Sequence, residues 1–368
     1  MDAYTPALQR LMDRVAAARS DKSPLDIRGG GTKAFYANPP RGAPLETREL
    51  TGITSYEPTE LVVTALAGTP LAELESALAA RGQCLPFEPP RYAAAGTVGG
   101  MVAAGLAGPA RASVGPLRDF LLGVSILSGT GEVLTFGGQV MKNVAGYDVS
   151  RVMAGAWGVL GVLCEVSLKV MPIPPAVRTL CFELDETSAL SQLNRWAGRA
   201  IPLHASSWHR GQLYVRLAGA TSVVSGVDLG RGRELAPQAA QSWWADIRDH
   251  RHGFFDLSQG KLEAGECLWR LAVPDTAPSI SLPGEQFIEW GGGQRWWRSA
   301  APAIDVRAMA TAVGGHATLV RALDKSPGAF SPVSSVSMRI QERLKQSFDP
   351  EGVFNRGRLH PERLYPEL

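Results

Sequence analysis

The chain has 368 residues, a formal net charge of +2 and 45% hydrophobic residues, which are typical of a globular protein with two or three domains. The nearly neutral charge, without a run of basic residues, excludes the basic surface that nucleic-acid binding requires. The four cysteines are scattered and form no CxxC pair. We therefore expect thiols in a reducing compartment, and neither a disulfide framework nor a cysteine metal site.

The N-terminal residues predict a helix. Thr5 is a capping side chain, and Pro6 suits the first helical turn. The same stretch carries Arg10 and Asp13, which interrupt the apolar core that a secretory signal needs. We therefore expect a cytoplasmic protein.

A predicted strand at residues 25–28 leads into the first glycine-rich loop. The loop consists of Gly29, Gly30, Gly31, Thr32 and Lys33. Its glycines can turn several N–H groups toward one point, and the hydroxyl and ammonium groups that follow favour an anion-binding loop. The loop formally fits the dinucleotide fingerprint G-x-G-x-x-A, but prolines at positions 39, 40 and 44 exclude the helix that this fingerprint requires. An anion-binding loop and a plain glycine turn remain as the two interpretations.

The second glycine-rich loop follows a predicted strand at residues 61–66 and a helix that Thr69 is expected to cap. It consists of Gly96, Thr97, Val98, Gly99 and Gly100 and opens a small-residue helix, which is a suitable place for a phosphate group or a polar ring edge. The surrounding residues 92–110 carry no charge, but seven are alanine and five are glycine. Because this composition is weakly apolar and rich in glycine, we expect no transmembrane segment.

The third glycine-rich stretch follows a hairpin predicted from the strands at residues 120–127 and 133–136. It begins with Lys142, Asn143, Gly146, Tyr147 and Asp148, and continues through Gly155, Gly158 and Gly161 into a strand at residues 162–170. Alternating apolar residues predict that this strand is half-buried. A backbone without side chains lets a flat or charged ligand lie against its peptide groups. A glycine turn with a buried Tyr–Asp hydrogen bond is the alternative.

Three glycine-rich loops therefore lie at element boundaries in the first half of the chain. Each loop alone is weak support for a ligand site. Together, with no metal or nucleophile motif nearby, they favour an extended ligand that is held along most of its length.

Residues 176–330 are expected to form a second α+β unit. Its strand-like runs are at residues 179–184, 213–217, 267–273 and 287–290, and its helical patterns are at residues 189–199, 237–250 and 305–313. Six of the nine tryptophans fall between Trp243 and Trp297. We expect most of them in the core, with some at the open face of a ligand or at a partner contact.

A last helix is predicted to start at Ser331 and Pro332 and to end before Pro350. Its apolar stripe is formed by Val336, Ile340 and Leu344. This stripe is expected to pack on the rest of the protein.

The loops occur in the order of a known family. The motifs are Arg28 to Lys33, the Gly96 loop, the turn from Gly115 to Asp119, the segment from Lys142 to Gly161, and Phe348 to Arg358. Together they resemble the FAD-binding domain of the vanillyl-alcohol-oxidase and p-cresol-methylhydroxylase (PCMH/VAO) superfamily. Within it, the pattern resembles the FAD-binding subunits of bacterial glycolate oxidase, the GlcE type.

The resemblance implies an α+β fold with three parts. These are a PCMH/VAO-type FAD-binding domain of two α+β subdomains at residues 1–175, an α+β cap domain at residues 176–330, and a C-terminal tail at residues 331–368 that returns to the FAD domain. It also implies that Gly29 to Lys33 bind the FAD pyrophosphate and that the Gly96 to Gly100 loop lines the flavin. The other implied cofactor contacts are Pro89, Lys142, Asn143, Gly146, Tyr147, Asp148, Gly158, Gly161, Val162 and Asn355.

The chain departs from the family pattern at two places. Relatives that oxidise hydroxy acids often have Gly-Ser-Glu-Gly-Thr-Leu-Gly where this chain has Ala156, Trp157 and Val159, so only backbone donors remain there. Arg356 stands where a proline is common, which affects the local turn.

All six histidines lie beyond residue 203. Some relatives attach FAD covalently through a histidine of the N-terminal domain, and that route is closed here. Cys84 lies in a helix-exit segment and is expected to be a buried structural thiol. We therefore expect non-covalent FAD.

The candidates for catalysis are weak. His209, at a predicted hairpin, is a candidate base, with a structural histidine as the alternative. Arg295 and Arg298 are candidates for holding a substrate carboxylate bidentately. His250 and His252 lie in a charged segment that we expect to be solvated, and no histidine-rich motif around Asp-Gly-Asn is present, so we expect no metal.

The resemblance implies a FAD-dependent oxidoreductase subunit that moves electrons from a small 2-hydroxy acid, glycolate, to an iron–sulfur partner subunit, beside a second FAD-binding subunit. The chain has no cysteine pattern for a cluster of its own. A self-contained D-lactate-like dehydrogenase, an electron-relay subunit beside a catalytic sister, and a non-redox scaffold are the alternatives. Any attachment to the inner face of the plasma membrane is expected to run through partner subunits.

Overall fold

A computed structural model describes residues 5–138 and 148–360 and shows an α+β protein with two main sheets. The helices of the first half are α1 (Thr5–Ser20), α2 (Leu71–Ala79), α3 (Val98–Ala104), α4 (Arg111–Val114) and α5 (Ser150–Met153). Its strands are β1 (Leu25–Arg28), β2 (Ala43–Glu46), β3 (Ile53–Glu57), β4 (Val62–Leu66), β5 (Gln83–Cys84), β6 (Leu121–Leu127), β7 (Val133–Gly137), β8 (Val162–Lys169) and β9 (Met171–Pro172). The predicted first helix, the early strands and the hairpin of β6 and β7 are confirmed.

The first sheet has five antiparallel strands in the order β3-β4-β8-β6-β7. Its central strand β8 was expected to be half-buried, and this is confirmed at Glu165 and Lys169, which are partly exposed, but wrong at Ser167. Ser167, on the face expected to be solvated, is only 8% exposed, and its hydroxyl lies 2.9 Å from that of Thr64. Because the two hydroxyl groups satisfy each other, polar side chains enter the interior of the sheet at low cost.

Helix α2 buries Leu71, Leu74 and Leu78 as predicted. The predicted cap is wrong, because Pro70 occupies the capping position and no side chain caps the helix. Thr69 instead exchanges two hydrogen bonds with the backbone of Gly52, at 2.9 and 3.0 Å. Its hydroxyl therefore ties the turn before α2 to the loop before β3.

The second half of the chain forms an eight-stranded sheet with helices. The helices are α6 (Glu186–Ala197), α7 (Thr221–Gly226), α8 (Pro237–Arg248), α9 (Gln259–Glu263), α10 (Ala303–Ala312) and α11 (Ser335–Phe348). The strands are β10 (Ala176–Glu183), β11 (Leu203–His209), β12 (Gln212–Gly219), β13 (Arg233–Glu234), β14 (Cys267–Ala272), β15 (Glu285–Glu289), β16 (Gln294–Ser299) and β17 (His316–Arg321). Their order is β13-β10-β12-β11-β15-β16-β14-β17. Strands β13, β16 and β17 were not predicted, and only the end of β11 was, as the hairpin at His209.

The two edges of this sheet are short or covered. At one edge, β13 has two residues, Arg233 and Glu234, and both are exposed. At the other edge, β17 bonds outward to the segment that follows it: Leu319 N donates to Ala329 O, and Ala317 N donates to the Ser331 hydroxyl. Few backbone groups therefore remain open for a further strand.

An aromatic core joins the two halves. Tyr36 and Trp157 from the first half cluster with Trp244, Phe255 and Trp296 from the second. The indole of Trp290 donates to the carbonyl of Gly108 at 3.0 Å, again across the two halves. The expectation that most of the late tryptophans belong to the core is confirmed.

A second connection between the halves is made by cations and backbone carbonyls. Two side chains from the C-terminal half bind the carbonyl oxygens of five consecutive residues, 34–38: Lys325 binds those of Phe35, Tyr36 and Ala37, and Arg358 binds those of Ala34 and Asn38. Lys325 also bonds to Val320 O at 2.9 Å, and burial lowers its pKa to about 7. We call this arrangement the carbonyl clamp; it fixes the segment directly after Lys33.

The last helix differs from its prediction. Helix α11 begins at Ser335 with Ser334 as its capping residue, because the hydroxyl of Ser331 bonds to Ala317 instead. The predicted apolar stripe is wrong at Val336 and Ile340, which are each 56% exposed, whereas Leu344 is partly buried against the core. The expected return of the tail is confirmed, since Phe354 pairs with Leu25 of β1.

The inner face of α11 carries a buried ion pair. Lys345 Nζ lies 2.6 Å from Asp349 Oδ2 and also donates to the carbonyls of Val159 and Phe354. Asp349 accepts the backbone N–H groups of Val353 and Phe354 as well. The pair therefore holds α11, the turn after it and the loop before β8 together.

We expect Asp349→Asn to lower the stability of the protein by about 3 kcal/mol, because breaking one side of a buried pair leaves the other charge uncompensated. Thermal and urea unfolding followed by circular dichroism measure the loss. Glu49→Gln is the control, since the Arg10–Glu49 pair is exposed and exposed pairs contribute little. Equal unfolding midpoints for the two variants contradict the prediction.

Candidate cofactor site

A cavity of about 280 Å³ lies where the glycine-rich loops meet. Its walls come from residues 26–34, from α3, from the loop before β8, and from Asn355 and Arg358. The structure thus brings together three predicted segments that are distant in the sequence. The predicted residues that line the cavity are Gly29, Gly30, Gly31, Thr32, Lys33, Thr97, Gly99, Gly100, Gly158, Gly161 and Asn355.

The first two glycine-rich loops touch each other directly. A Cβ atom on Gly29 would lie 2.3 Å from the Thr97 hydroxyl, and one on Gly30 would lie 1.5 Å from the carbonyl oxygen of Ala95. Glycine is therefore required at both positions for the two loops to pack against each other. Gly31 differs: its φ of +67° favours glycine, and a Cβ there would meet open space.

Residues of the second loop lie in three different environments. Thr97 caps α3 by accepting the N–H of Gly100 at 3.2 Å. Val98 is fully buried in the core. Gly96 faces a neighbouring cleft of about 1000 Å³ between the two halves, rather than the first cavity.

The third wall is held by Asn355. Its side chain accepts the N–H of Ile27 at 2.7 Å and donates to the carbonyl of Trp157 at 2.6 Å. A Cβ on Gly158 would lie 2.6 Å from the Asn355 amide nitrogen. Asn355 therefore positions two walls of the cavity, and the absence of a side chain at Gly158 makes room for it.

Trp157 and Arg358 are among the side chains of the cavity that were not predicted from sequence. Trp157 stacks on Tyr36 at 5.6 Å with an interplanar angle of 19°, and the Arg358 guanidinium lies 5.4 Å from the Trp157 ring centre. Trp157 was noted only as a departure from a family pattern. The signal that identifies Trp157 is the pair of glycines beside it, Gly155 and Gly158, which leave the indole as the one large side chain of the turn.

Lys33 is the strongest electrostatic feature of the cavity. Its side chain is 7% exposed, and its ammonium group has no hydrogen-bond partner in the described part of the chain. Burial lowers its pKa to about 8, although Asp249 favours the charged form. A buried, unpaired ammonium group is costly unless an anion binds it.

These residues fit the pyrophosphate of FAD. The buried Lys33 ammonium supplies the charge, the Gly29–Gly31 backbone supplies a surface without side chains, and Ala103, Ala104 and Leu163 supply an apolar floor. The chemistry is that of a phosphate group joined to a flat apolar ring system.

Other predicted contacts lie elsewhere. Lys142, Asn143, Gly146 and Tyr147 are outside the described residues. Asp148 is exposed, where it pairs with Arg151 at 2.9 Å. Pro89 and Val162 are buried but do not line the cavity.

The three weak catalytic candidates are all occupied by protein partners. Arg295 is fully buried, and its three nitrogens donate to the carbonyls of Gly292, Pro278 and Ala277. His209 and Arg298 both bond to Glu285, at 2.9 and 2.6 Å. None of the three lines the cavity.

The expectation that His250 and His252 are solvated is wrong. The His250 ring stacks on Phe255 at 4.0 Å, and burial lowers its pKa to about 3. His252 accepts the N–H of Phe254 at 3.2 Å. The prediction rested on the charged residues around the two histidines. It fails because the imidazole rings pack against aromatic side chains.

Residues 5–138 and 148–360 contain neither a metal-binding cluster nor a helix suited to span a membrane. No group of three or more His, Cys, Asp or Glu side chains there is arranged to hold a metal ion. No helix in the same ranges has both the length and the apolar character to cross a membrane.

Comparisons with known proteins agree with this site. A family model described as "FAD binding domain" matches residues 8–137. The glycolate oxidase subunit GlcE of Escherichia coli (strain K12) is 45% identical over 355 residues, which cover 96% of this chain and 97% of that protein. The glycolate oxidase subunit GlcD of Bacillus subtilis (strain 168) is 26% identical over 203 residues, which cover 51% of this chain and 43% of that protein.

A solved structure of alkyldihydroxyacetonephosphate synthase is similar with a TM-score of 0.65 at 16% identity, covering 96% of this chain and 74% of that chain. The family model and the relative that is 45% identical define a FAD-dependent oxidoreductase with a PCMH/VAO-type FAD-binding domain, and the solved structure shares its fold. Since a relative of nearly equal length shares 45% of its residues, the chain belongs to the family of the glycolate oxidase subunit GlcE.

We expect Gly31→Ala to lower the affinity for FAD about tenfold, which corresponds to about 1.4 kcal/mol, because it changes the backbone of the phosphate-binding loop. Gly82→Ala is a matched control, since Gly82 has a φ of +66°, also meets open space and lies outside the cavity. Both changes strain the backbone by about 1 kcal/mol. FAD titration of the apoprotein, together with unfolding midpoints, separates the effects; equal FAD affinities for the two variants contradict the prediction.

We expect the affinity for FAD to fall as the pH rises above about 8. Lys33 is protonated below its pKa of about 8, and the ammonium form attracts the cofactor phosphates, so deprotonation weakens binding. Lys33→Arg stays charged and is expected to lose this pH dependence, and Lys33→Met is expected to bind weakly at every pH. Dissociation constants between pH 6.5 and 9.5 test this; identical pH profiles for the wild type and Lys33→Arg would count against it.

Proposed function

We propose that this chain is a FAD-carrying subunit of a glycolate-oxidising complex, which moves electrons from a small 2-hydroxy acid through FAD to an iron–sulfur partner subunit. The observation that carries the proposal is the buried, unpaired Lys33 in a cavity built by three glycine-rich segments, in a chain similar over nearly its whole length to a glycolate oxidase subunit. When bound, FAD supplies the acceptor for a hydride and can release the electrons singly.

The roles of the chain's own residues follow from the cavity. Lys33 neutralises the cofactor phosphates, and Asn355 holds the walls at Ile27 and Trp157 in place. The ring of Trp157 closes the cavity on the side of Tyr36. The aromatic core between the halves excludes water there, which strengthens each electrostatic contact.

Electron transfer to a partner is supported by the cysteines. The four cysteines are free thiols, two of them buried, and their spacing does not suit an iron–sulfur cluster. An iron–sulfur cluster that accepts the electrons from FAD therefore lies on another polypeptide in this proposal. A second FAD-binding subunit is part of the proposal because this chain is also similar to a GlcD subunit.

A relay role is the second candidate function. The three candidate side chains His209, Arg295 and Arg298 are engaged by protein partners. This favours oxidation of the substrate on a sister subunit, with this chain passing electrons on.

The proposal includes non-covalent FAD and a cytoplasmic location. Residues 1–203 contain no histidine. Burial raises the pKa of the Cys84 thiol to about 11, and Cys84 does not line the cavity. Free thiols fit a reducing compartment, and cell fractionation with and without the partner subunits tests attachment to the membrane.

The purified chain is expected to be yellow and to release all its FAD into the supernatant on acid precipitation. In the complex, anaerobic glycolate is expected to bleach this flavin. Bleaching of the isolated chain by glycolate supports direct oxidation, and bleaching only after the other subunits are added supports the relay. D-lactate in place of glycolate tests the substrate class. A chain that stays colourless in excess FAD contradicts the proposal.

A further inference from the structure

The outward face of α11 carries a row of exposed side chains. Val336, Arg339, Ile340 and Arg343 follow the i, i+3, i+4, i+7 spacing that places residues on one side of a helix. All four side chains are exposed, and Val336 and Ile340 are each 56% exposed. We call these four residues the outer stripe.

The opposite face of the same helix is fixed to the protein. Lys345 is buried there, and its ammonium group binds Asp349 and two backbone carbonyls. The helix is therefore held in one orientation before any partner arrives. A preformed surface of this kind lowers the entropic cost of binding.

The two arginines of the outer stripe lack the carboxylate partners that other exposed arginines have. Neither Arg339 nor Arg343 forms an ion pair or a side-chain hydrogen bond within residues 5–138 and 148–360. By contrast, the exposed Arg251 pairs with Asp246 at 2.9 Å. The one carboxylate of α11, Glu342, lies off the stripe. The stripe therefore combines apolar surface with uncompensated positive charge.

The chemistry of the outer stripe decides between possible occupants. Two copies of this face would bring four guanidinium groups together, and like charges across an interface are unfavourable, so the stripe is unsuited to pair with itself. A helix that binds a membrane surface needs a wide apolar face, usually with Trp, Phe or Leu, whereas the stripe has one valine and one isoleucine. Apolar anchors at this spacing, flanked by basic groups, suit a groove on another polypeptide that carries carboxylates.

The helix also connects the outer stripe with the cofactor cavity. The two carbonyls that Lys345 binds belong to Val159 and Phe354. Their chain neighbours Gly158 and Asn355 line the cavity. A polypeptide bound at the outer stripe is thus separated from the segments of the cavity wall by about the width of one helix, roughly 10 Å.

We propose that the outer stripe docks this chain into an acidic groove on a partner subunit of the same complex. Val336 and Ile340 enter the groove, and Arg339 and Arg343 bind its carboxylates through charge-assisted hydrogen bonds. This inference rests on the proposed function, which makes the chain one subunit of a complex. It gives a role to the apolar positions of α11 that the chain leaves exposed on its own.

Photo-cross-linking in the assembled complex tests the proposal. Ile340→p-benzoylphenylalanine places a reactive group on the outer stripe, and the same change at Ile304 is the matched control, since Ile304 is 76% exposed on α10. We expect the probe at position 340 to cross-link to a partner subunit at a peptide that contains Asp and Glu, with a much weaker product from position 304. Cross-links from position 340 only to lipid or to a second copy of this chain overturn the proposal.

Affinity measurements separate the charged from the apolar contacts. The purified, FAD-loaded chain is titrated with the purified remainder of the complex at about 50 and about 300 mM salt. We expect the dissociation constant to rise at least thirtyfold in the double variant Arg339→Glu, Arg343→Glu and about tenfold in Ile340→Ser. The double variant Arg339→Gln, Arg343→Gln is expected to show a weaker salt dependence than the wild type. Arg195→Glu, at an exposed position of α6, is the control and is expected to bind as the wild type does.

The exposure of the outer stripe separates docking from folding. Substitutions at exposed positions change stability little, so we expect every variant to keep the FAD content and unfolding midpoint of the wild type. Wild-type affinity in both Arg339→Glu, Arg343→Glu and Ile340→Ser overturns the proposal, and so does a wild-type chain that forms no complex. If these variants dock normally and glycolate still bleaches the flavin in the complex, the proposed function stands without this surface. If the stripe docks a partner subunit and neither glycolate nor D-lactate bleaches the flavin, the docking surface stands and the proposed function falls.

Discussion

The cofactor cavity depends on a backbone contact that no side chain permits. Gly30 lies so close to the carbonyl of Ala95 that even a methyl group would overlap it. This contact brings the loop after β1 against the loop before α3, and the two together form one side of the cavity. The other side is added by Asn355, which returns from the end of the chain and bonds to Ile27 and Trp157. The residues of the cavity span positions 26 to 358 of the chain. They are held together by the contact of Gly30 with Ala95 and by the side-chain amide of Asn355.

The buried cations of this protein are of two kinds: some are bonded entirely by protein groups, and another lines the cofactor cavity. Lys345 meets Asp349 and two carbonyls, and Arg295 meets three carbonyls, so both are fully satisfied within the protein. Lys33 is buried as well, but its ammonium group has no hydrogen-bond partner in the described chain, and it lines the cofactor cavity. Since desolvating a charge is costly, this cavity is the place where an anion lowers the free energy most.

Sequence patterns located the cofactor site well because glycine constrains the backbone locally. The Gly29–Lys33 loop and Asn355 were predicted from sequence, and the structure brings them together. Sequence patterns failed where contacts between residues distant in the sequence determine which side chains are buried. Most of the polar strand β11 was missed because its serines are buried by neighbouring strands.

The same limit explains two errors of burial. Charged neighbours predicted that His250 is solvated, yet its ring stacks on Phe255. Apolar spacing predicted that Val336 and Ile340 are buried, yet Lys345 faces the interior from the same helix. In both cases partners distant in the sequence outweigh the local pattern: the Tyr92 and Trp296 rings lie beside His250, and the Val159 carbonyl accepts a hydrogen bond from Lys345.

The edges of the eight-stranded sheet have a consequence for assembly. One edge ends in the two charged residues of β13, and the other is occupied by the segment around Ala329. An additional polypeptide therefore finds no row of open amides to extend, and β-augmentation is disfavoured. A subunit that joins the protein at this sheet must therefore recognise side chains, so the composition of the surface there, rather than main-chain complementarity, determines which neighbours the protein accepts.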